Sequence, residues 1–139
     1  MARLGDVQSY VIMLVSRGIN DFRKIVEMLS SFSIPKSSIY TAIDELVKRG
    51  AIAKHQHGDR IVLTLTDRGR ELIDKARDVL SKKLLELKLL LALLSDSIDM
   101  ASAVSGMDPD RLEELRNTLK ELLDAIEKEL KRWKRISIE

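Results

Sequence analysis

The chain has 139 residues and a mass of 15.8 kDa, enough for one compact domain with an appendage and a tight fit for two. It contains no cysteine, which excludes disulfides, thiolate metal sites and cysteine nucleophiles, while 45% hydrophobic and 33% charged residues predict a folded chain. The net charge of +2 announces no partner, but nine Lys and Arg stand against six Asp and Glu in residues 1–65 and fifteen against sixteen in residues 66–139, so positive charge favours the front.

Residues Val7, Tyr10, Val11, Met13 and Leu14 recur at helical spacing and predict a first helix from Asp6 to Arg17, stopped by Gly18. Asn20 or Asp21 is placed to cap a second, amphipathic helix from Phe22 to about Ser31. A third helix is expected after a Ser33 cap, with Pro35 in its first turn, Ile39, Ala42, Ile43, Leu46 and Val47 as its buried stripe and Gly50 as its end. Its opposite face carries Lys36, Ser37, Tyr40, Thr41, Asp44 and Lys48.

Two β-prone runs, Ala51–His55 and Arg60–Leu65, flank a glycine-containing turn at His57-Gly58-Asp59 and predict a hairpin. Helix, helix, helix, hairpin is the order of a winged helix-turn-helix. Thr66 then caps a helical pattern that runs without proline from Asp67 to about Val104, roughly 57 Å if unbroken at 1.5 Å per residue, with Ser95-Asp96-Ser97 as the expected bend. Gly106, Asp108 and Pro109 punctuate the second half. In the last helix Leu112, Leu115, Leu119, Leu122, Ile126, Leu130 and Trp133 recur at coiled-coil spacing.

The fold class expected is therefore mainly α with a small β-hairpin: a winged helix-turn-helix over residues 1–66 and a helical dimerisation arm over residues 67–139. In such a unit the third helix enters the major groove, and Lys36, Ser37, Ser38, Tyr40 and Thr41 are its candidates for base contact. Serines at a helix start otherwise do no more than cap and solvate it; their place between a capped helix and a wing favours recognition. Lys54, His55, His57 and Arg60 on the wing suit phosphate.

Too many leucines crowd residues 84–94 for one stripe, so Leu84, Leu87, Leu91 and Leu94, with Leu115, Leu119, Leu122, Ile126, Leu130 and Trp133, are expected to form a homodimer interface. Lys131, Arg132, Lys134 and Arg135 around Trp133 suit a solvated helix end. His55 and His57, with Asp59 as the only nearby third ligand, make a weak metal pair, and no metal or cofactor is expected. No nucleophile elbow, phosphate loop or HExxH motif occurs, so no catalytic residue and no enzyme are expected. The leucine run is interrupted by Glu86 and Lys88 and is too short to span a bilayer, and the N-terminal residues do not resemble a signal peptide, so a cytoplasmic protein is expected.

The run Ser37-Ser38-Ile39-Tyr40-Thr41-Ala42-Ile43, continuing through Gly50 to Ile52, and the later Leu63-Thr64-Leu65-Thr66-Asp67-Arg68-Gly69 resemble the PadR family of transcriptional regulators, with MarR the nearest neighbour. The resemblance covers roughly residues 5–80 and places Tyr40 on the family's characteristic tyrosine. Ser37 and Thr41 stand where that family usually has glycine and proline, so its base preference does not carry over. It implies double-stranded DNA as partner, dimerisation through C-terminal helices, repression, and in some members release by a small hydrophobic effector, for which these residues offer no support. The competing expectation, kept open by Asp44 and Glu45 on the third helix, is a winged-helix protein-interaction or architectural module.

Overall fold

The computed structural model describes residues 3–93 and 105–138. Its elements are α1 (Asp6–Ser16), α2 (Phe22–Ser31), α3 (Lys36–Lys48), β1 (Ile52–His57), β2 (Arg60–Leu65), α4 (Asp67–Glu71), α5 (Ile73–Leu93) and α6 (Pro109–Ile138). They fall into two units, Met1–Leu89 and Leu90–Glu139. No described helix is long and apolar enough to cross a membrane.

In the first unit Val11 and Ile12 of α1, Ile25 of α2, Ile39, Ile43 and Leu46 of α3, Ile52 of β1 and Leu63 of β2 are buried together. Burying each such side chain contributes about 1.5–3 kcal/mol, so this one cluster holds three helices and the hairpin. The expected stripe on α3 is buried as read, except that Val47 is half-buried.

Local signals set the ends of these helices. Gly18 and Gly50 adopt positive φ, which lets Ile19 N–H reach back to Leu14 O at 3.0 Å and Ala51 N–H to Leu46 O at 2.9 Å, closing α1 and α3 in the same manner. Asp21, of the two candidates, caps α2: its Oδ1 accepts from Arg23 N–H at 3.0 Å and Lys24 N–H at 3.2 Å. The expected cap of α3 is corrected. Ser33 has φ 66° and closes α2 instead, its N–H bonded to Ser30 O at 3.0 Å, and Pro35 takes the N-cap position, without a side-chain bond.

The hairpin is antiparallel, with Ile52 opposite Leu65 and His57 opposite Arg60, so the turn is the two residues Gly58-Asp59. Gly58 alone takes positive φ there, as a tight type II′ turn requires. A third, single-residue contact extends the sheet: Asp21 bridges Val62, and Leu63 N–H donates to Asn20 O at 2.8 Å.

The helical run expected from Asp67 turns at Leu72, which separates α4 from α5, and Ser95-Asp96-Ser97 lie outside the described residues. The cause is tertiary. Thr66 caps α4 as read, accepting from Gly69 N–H at 3.1 Å, and its own hydroxyl donates to Gly50 O at 2.5 Å. These bonds seat α4 on the root of the hairpin, whereas Leu72 and Ala76 must point into the core. One straight helix would not satisfy both. Farther along α5, Lys83 lies 2.8 Å from Asp6 and 3.2 Å from Glu86, and these two carboxylates raise its pKa above the ordinary lysine value.

In the second unit α6 opens where expected, with Leu112 N–H bonded to Asp108 O at 2.9 Å ahead of Pro109. Glu113–Arg116 and Glu129–Arg132 pair along its surface at 3.4 and 3.7 Å.

Gly69 has the least room of the glycines, because a Cβ there would lie 2.1 Å from Ala51 O. Gly69→Ala is expected to lower stability by about 1–3 kcal/mol or more through overpacking. Urea denaturation measures this, and an unchanged midpoint would show that α4 does not sit on the Ala51 carbonyl.

Candidate nucleic-acid interface

The N-terminal turns of α3 are exposed on the side away from the core. Lys36, Ser37, Ser38, Tyr40 and Thr41 are all solvent-facing, brought together because Ile39, Ala42, Ile43 and Leu46 take the opposite side of the same helix. Lys36 makes no ion pair with a described residue. Tyr40 is half-engaged: its ring stacks on Phe22 of α2 with centroids 5.8 Å apart and an interplanar angle of 10°.

The acidic residues of α3 are both occupied. Asp44 pairs with Lys54 at 3.4 Å, and the Lys54 ammonium also stands 5.5 Å over the Phe22 ring. Glu45 accepts a short hydrogen bond from Gln8 Nε2 of α1, and Gln8 Oε1 accepts from Arg49 Nη1 at 3.1 Å. Gln8 is buried, and this amide fixes the roll of α3 on α1.

On the wing, the expected residues divide. His55 Nε2 lies 2.9 Å from Thr64 Oγ1 across the ladder, and His57 is exposed at the end of β1. Among the described residues no group of three His, Asp or Glu is placed to hold a metal. Lys54 and Arg60 both face carboxylates. Arg60 Nε donates to Asp21 Oδ2 at 2.9 Å and its Nη2 lies 2.8 Å from the same oxygen.

Sequence reasoning did not single out Arg23 and Lys24. Both are exposed in the first turn of α2, and with Asp21, Phe22, Asp59, Arg60 and Ile61 they line a cleft of about 460 Å³ between α2 and the wing. The signal was local and available: a cap at Asp21 puts the next residues but one, two cations, on the helix entry.

Of the expected dimer residues, Leu84 on α5 is 54% exposed, and Leu115, Leu119, Ile126, Leu130 and Trp133 on α6 are exposed as well. Leu87 and Leu122 are half-buried, Leu94 lies outside the described residues, and nothing is described of the Leu91 side chain. Leu123, which the spacing left out, joins the exposed apolar set and lines a groove with Leu112, Leu115 and Leu119.

Three helices, a hairpin bonded to the loop before the second of them and an exposed polar face on the third define the first unit as a winged helix-turn-helix. No family model matches the chain, and no curated protein sequence matches it. Among solved structures, it is similar to the zinc-dependent MarR family transcriptional regulator AdcR in its Zn(II)-bound state, at 18% identity and a TM-score of 0.46, over 90% of this chain and 77% of that one. It is also similar to a MarR transcriptional regulator from Methanosarcina mazei Go1, at 21% identity and a TM-score of 0.44, over 90% of this chain and 79% of that one.

The Asp21 carboxyl is held below its ordinary value of 3.8, first by Lys24 N–H and then by the Arg60 side chain. A depressed pKa means that the folded state binds the proton less well than the unfolded state. The stabilisation is therefore present above the unfolded pKa and lost as pH falls through the folded one. Asp21→Asn should lower the melting temperature near pH 7 and leave it close to wild type at strongly acidic pH. A parallel offset across the whole pH range would show that the charge of Asp21 contributes nothing.

Proposed function

We propose that the protein is a sequence-specific DNA-binding transcriptional regulator that acts as a homodimer. The observation that carries this reading is the exposed face of α3, where Lys36, Ser37, Ser38, Tyr40 and Thr41 present a cation, three hydroxyls and a phenol on a helix whose other side is locked into the core. A helix of that kind fits the major groove, where lysine donates to guanine and hydroxyls donate or accept at base edges. The two carboxylates that would oppose DNA are engaged elsewhere, Asp44 by Lys54 and Glu45 by Gln8. The wing, which carries Lys54, His55 and His57, lies beside the flanking backbone in this reading.

Dimerisation is assigned to the arm. Leaving a leucine-sized side chain exposed rather than buried forgoes about 1.5–3 kcal/mol, and α5 and α6 expose Leu84, Leu119, Leu130 and Trp133 among others. A second copy supplies the same apolar faces and covers them isologously. A two-fold dimer then reads a palindromic operator with half-site centres about 10 bp or a multiple apart. Repression is the mode carried over from the PadR resemblance of residues 37–72, which also puts the recognition tyrosine at Tyr40.

Fluorescence anisotropy with the DNA upstream of the protein's own coding sequence and with a random duplex tests the reading. Binding about a thousandfold tighter to the first, weakening steeply with salt, is expected. Lys36→Ala should narrow that ratio by about 1–3 kcal/mol and leave the random duplex bound nearly as before. Absence of binding to any duplex at low salt would overturn the proposal. In sedimentation, Leu119→Lys combined with Leu130→Lys is expected to convert dimer to monomer with the melt of the first unit unchanged; a variant that stays dimeric would place the interface off α6.

A further inference from the structure

The wing carries Lys54 and Arg60, yet it is a poor source of positive charge. Each of these cations faces a carboxylate from another element, Asp44 and Asp21. Asp59 at the turn has no ion-pair partner among the described residues, so the hairpin with its two counter-charges sums to a net negative value when the histidines are counted neutral.

The Arg60–Asp21 pair is built into the fold. One Asp21 oxygen caps α2 and the other takes the guanidinium, while Asp21 also bridges Val62 through its backbone. The Asp21 side chain is only 14% exposed. Moving Arg60 onto a phosphate would leave that carboxylate without its counter-charge, beside incoming negative charge.

Across the same cleft Arg23 and Lys24 are exposed, and neither side chain pairs with a described residue. Their backbone N–H groups are already taken by Asp21, so the side chains rather than the helix end offer the charge.

We propose that Arg23 and Lys24 hold the DNA phosphates in this cleft, and that Arg60 is a positioning residue which sets the wing through Asp21 without neutralising a phosphate. This rests on the DNA-binding reading and divides its electrostatics differently from the sequence pattern, which assigned phosphate to the wing.

The number of phosphates neutralised is read from the slope of log affinity against log salt, about 0.9 per contact. The full-length protein is titrated against a random-sequence duplex, which requires no knowledge of the operator. Arg23→Gln combined with Lys24→Gln is expected to reduce the slope by about 1.8 per bound protomer. Asp21→Asn combined with Arg60→Gln keeps the net charge and a capping side chain, and is expected to leave the slope unchanged. Thermal melts confirm that each variant is folded. If the second variant lost about 0.9 of slope, or the first lost none, the assignment would be overturned while the DNA-binding reading stood. A wild-type protein with no salt-dependent binding would overturn both.

Discussion

The carbonyl of Ala51 is the point on which the first unit turns. Ala51 follows the glycine that ends α3 and precedes β1; its N–H closes α3, and its oxygen receives Thr66 N–H at 3.0 Å with Gly69 packed directly against it. The end of the third helix, both roots of the hairpin and the start of α4 therefore share one residue. Its neighbour Gly50 carries the Thr66 hydroxyl in the same way. Because Ala51 is buried, leaving either of its backbone groups unpaired would cost about 1–3 kcal/mol, so α3 and the wing are held in one mutual geometry before any partner arrives.

From that junction the exposed faces of α3 and the wing follow. The hairpin is directed back along α2, where the Asn20-Asp21 segment adds hydrogen bonds to β2 and Asp21 closes on Arg60. α3 is pinned on its flanks by Phe22 against Tyr40 and by Gln8 against Glu45. The side chains left over, Lys36, Ser37, Ser38 and Thr41 together with Arg23 and Lys24, are those the packing has no use for.

The elements whose causes are local were legible in the sequence. Gly18 and Gly50 act on residues within five positions of themselves, as does Thr66 in capping α4, and the apolar stripe of α3 is a property of one helix. What escaped reading depends on partners far along the chain. Arg60 looks like a free wing cation until Asp21, thirty-nine residues earlier, is brought to it, and Gln8 looks like a surface amide until Glu45 arrives from thirty-seven residues away. The turn at Leu72 has no proline to announce it, because it answers to the core and to the Ala51 carbonyl on which Gly69 sits. Ser33 was misassigned because a serine before a helix is usually its cap, whereas here the preceding helix claims it. Leu123 was missed because the count stepped three residues from Leu119 to Leu122, whereas the residue four on from Leu119 lies on the same face.

Gln8 also limits what position 8 can become. Its side chain gives a hydrogen to Glu45 of α3 and takes one from Arg49 at that helix's C-cap, two residues that sit one turn apart and carry opposite charges. A glutamate there has no N–H for Glu45 and would stand against it; a lysine has no acceptor for Arg49 and would crowd it; a leucine would leave both ions facing a greasy wall. The two ionic neighbours thus read the polarity of the amide as well as its presence, and by doing so they assign which end of the Gln8 side chain is nitrogen and which is oxygen. A neutral group, chosen because it is neutral, becomes the keyed joint between the first helix and the third.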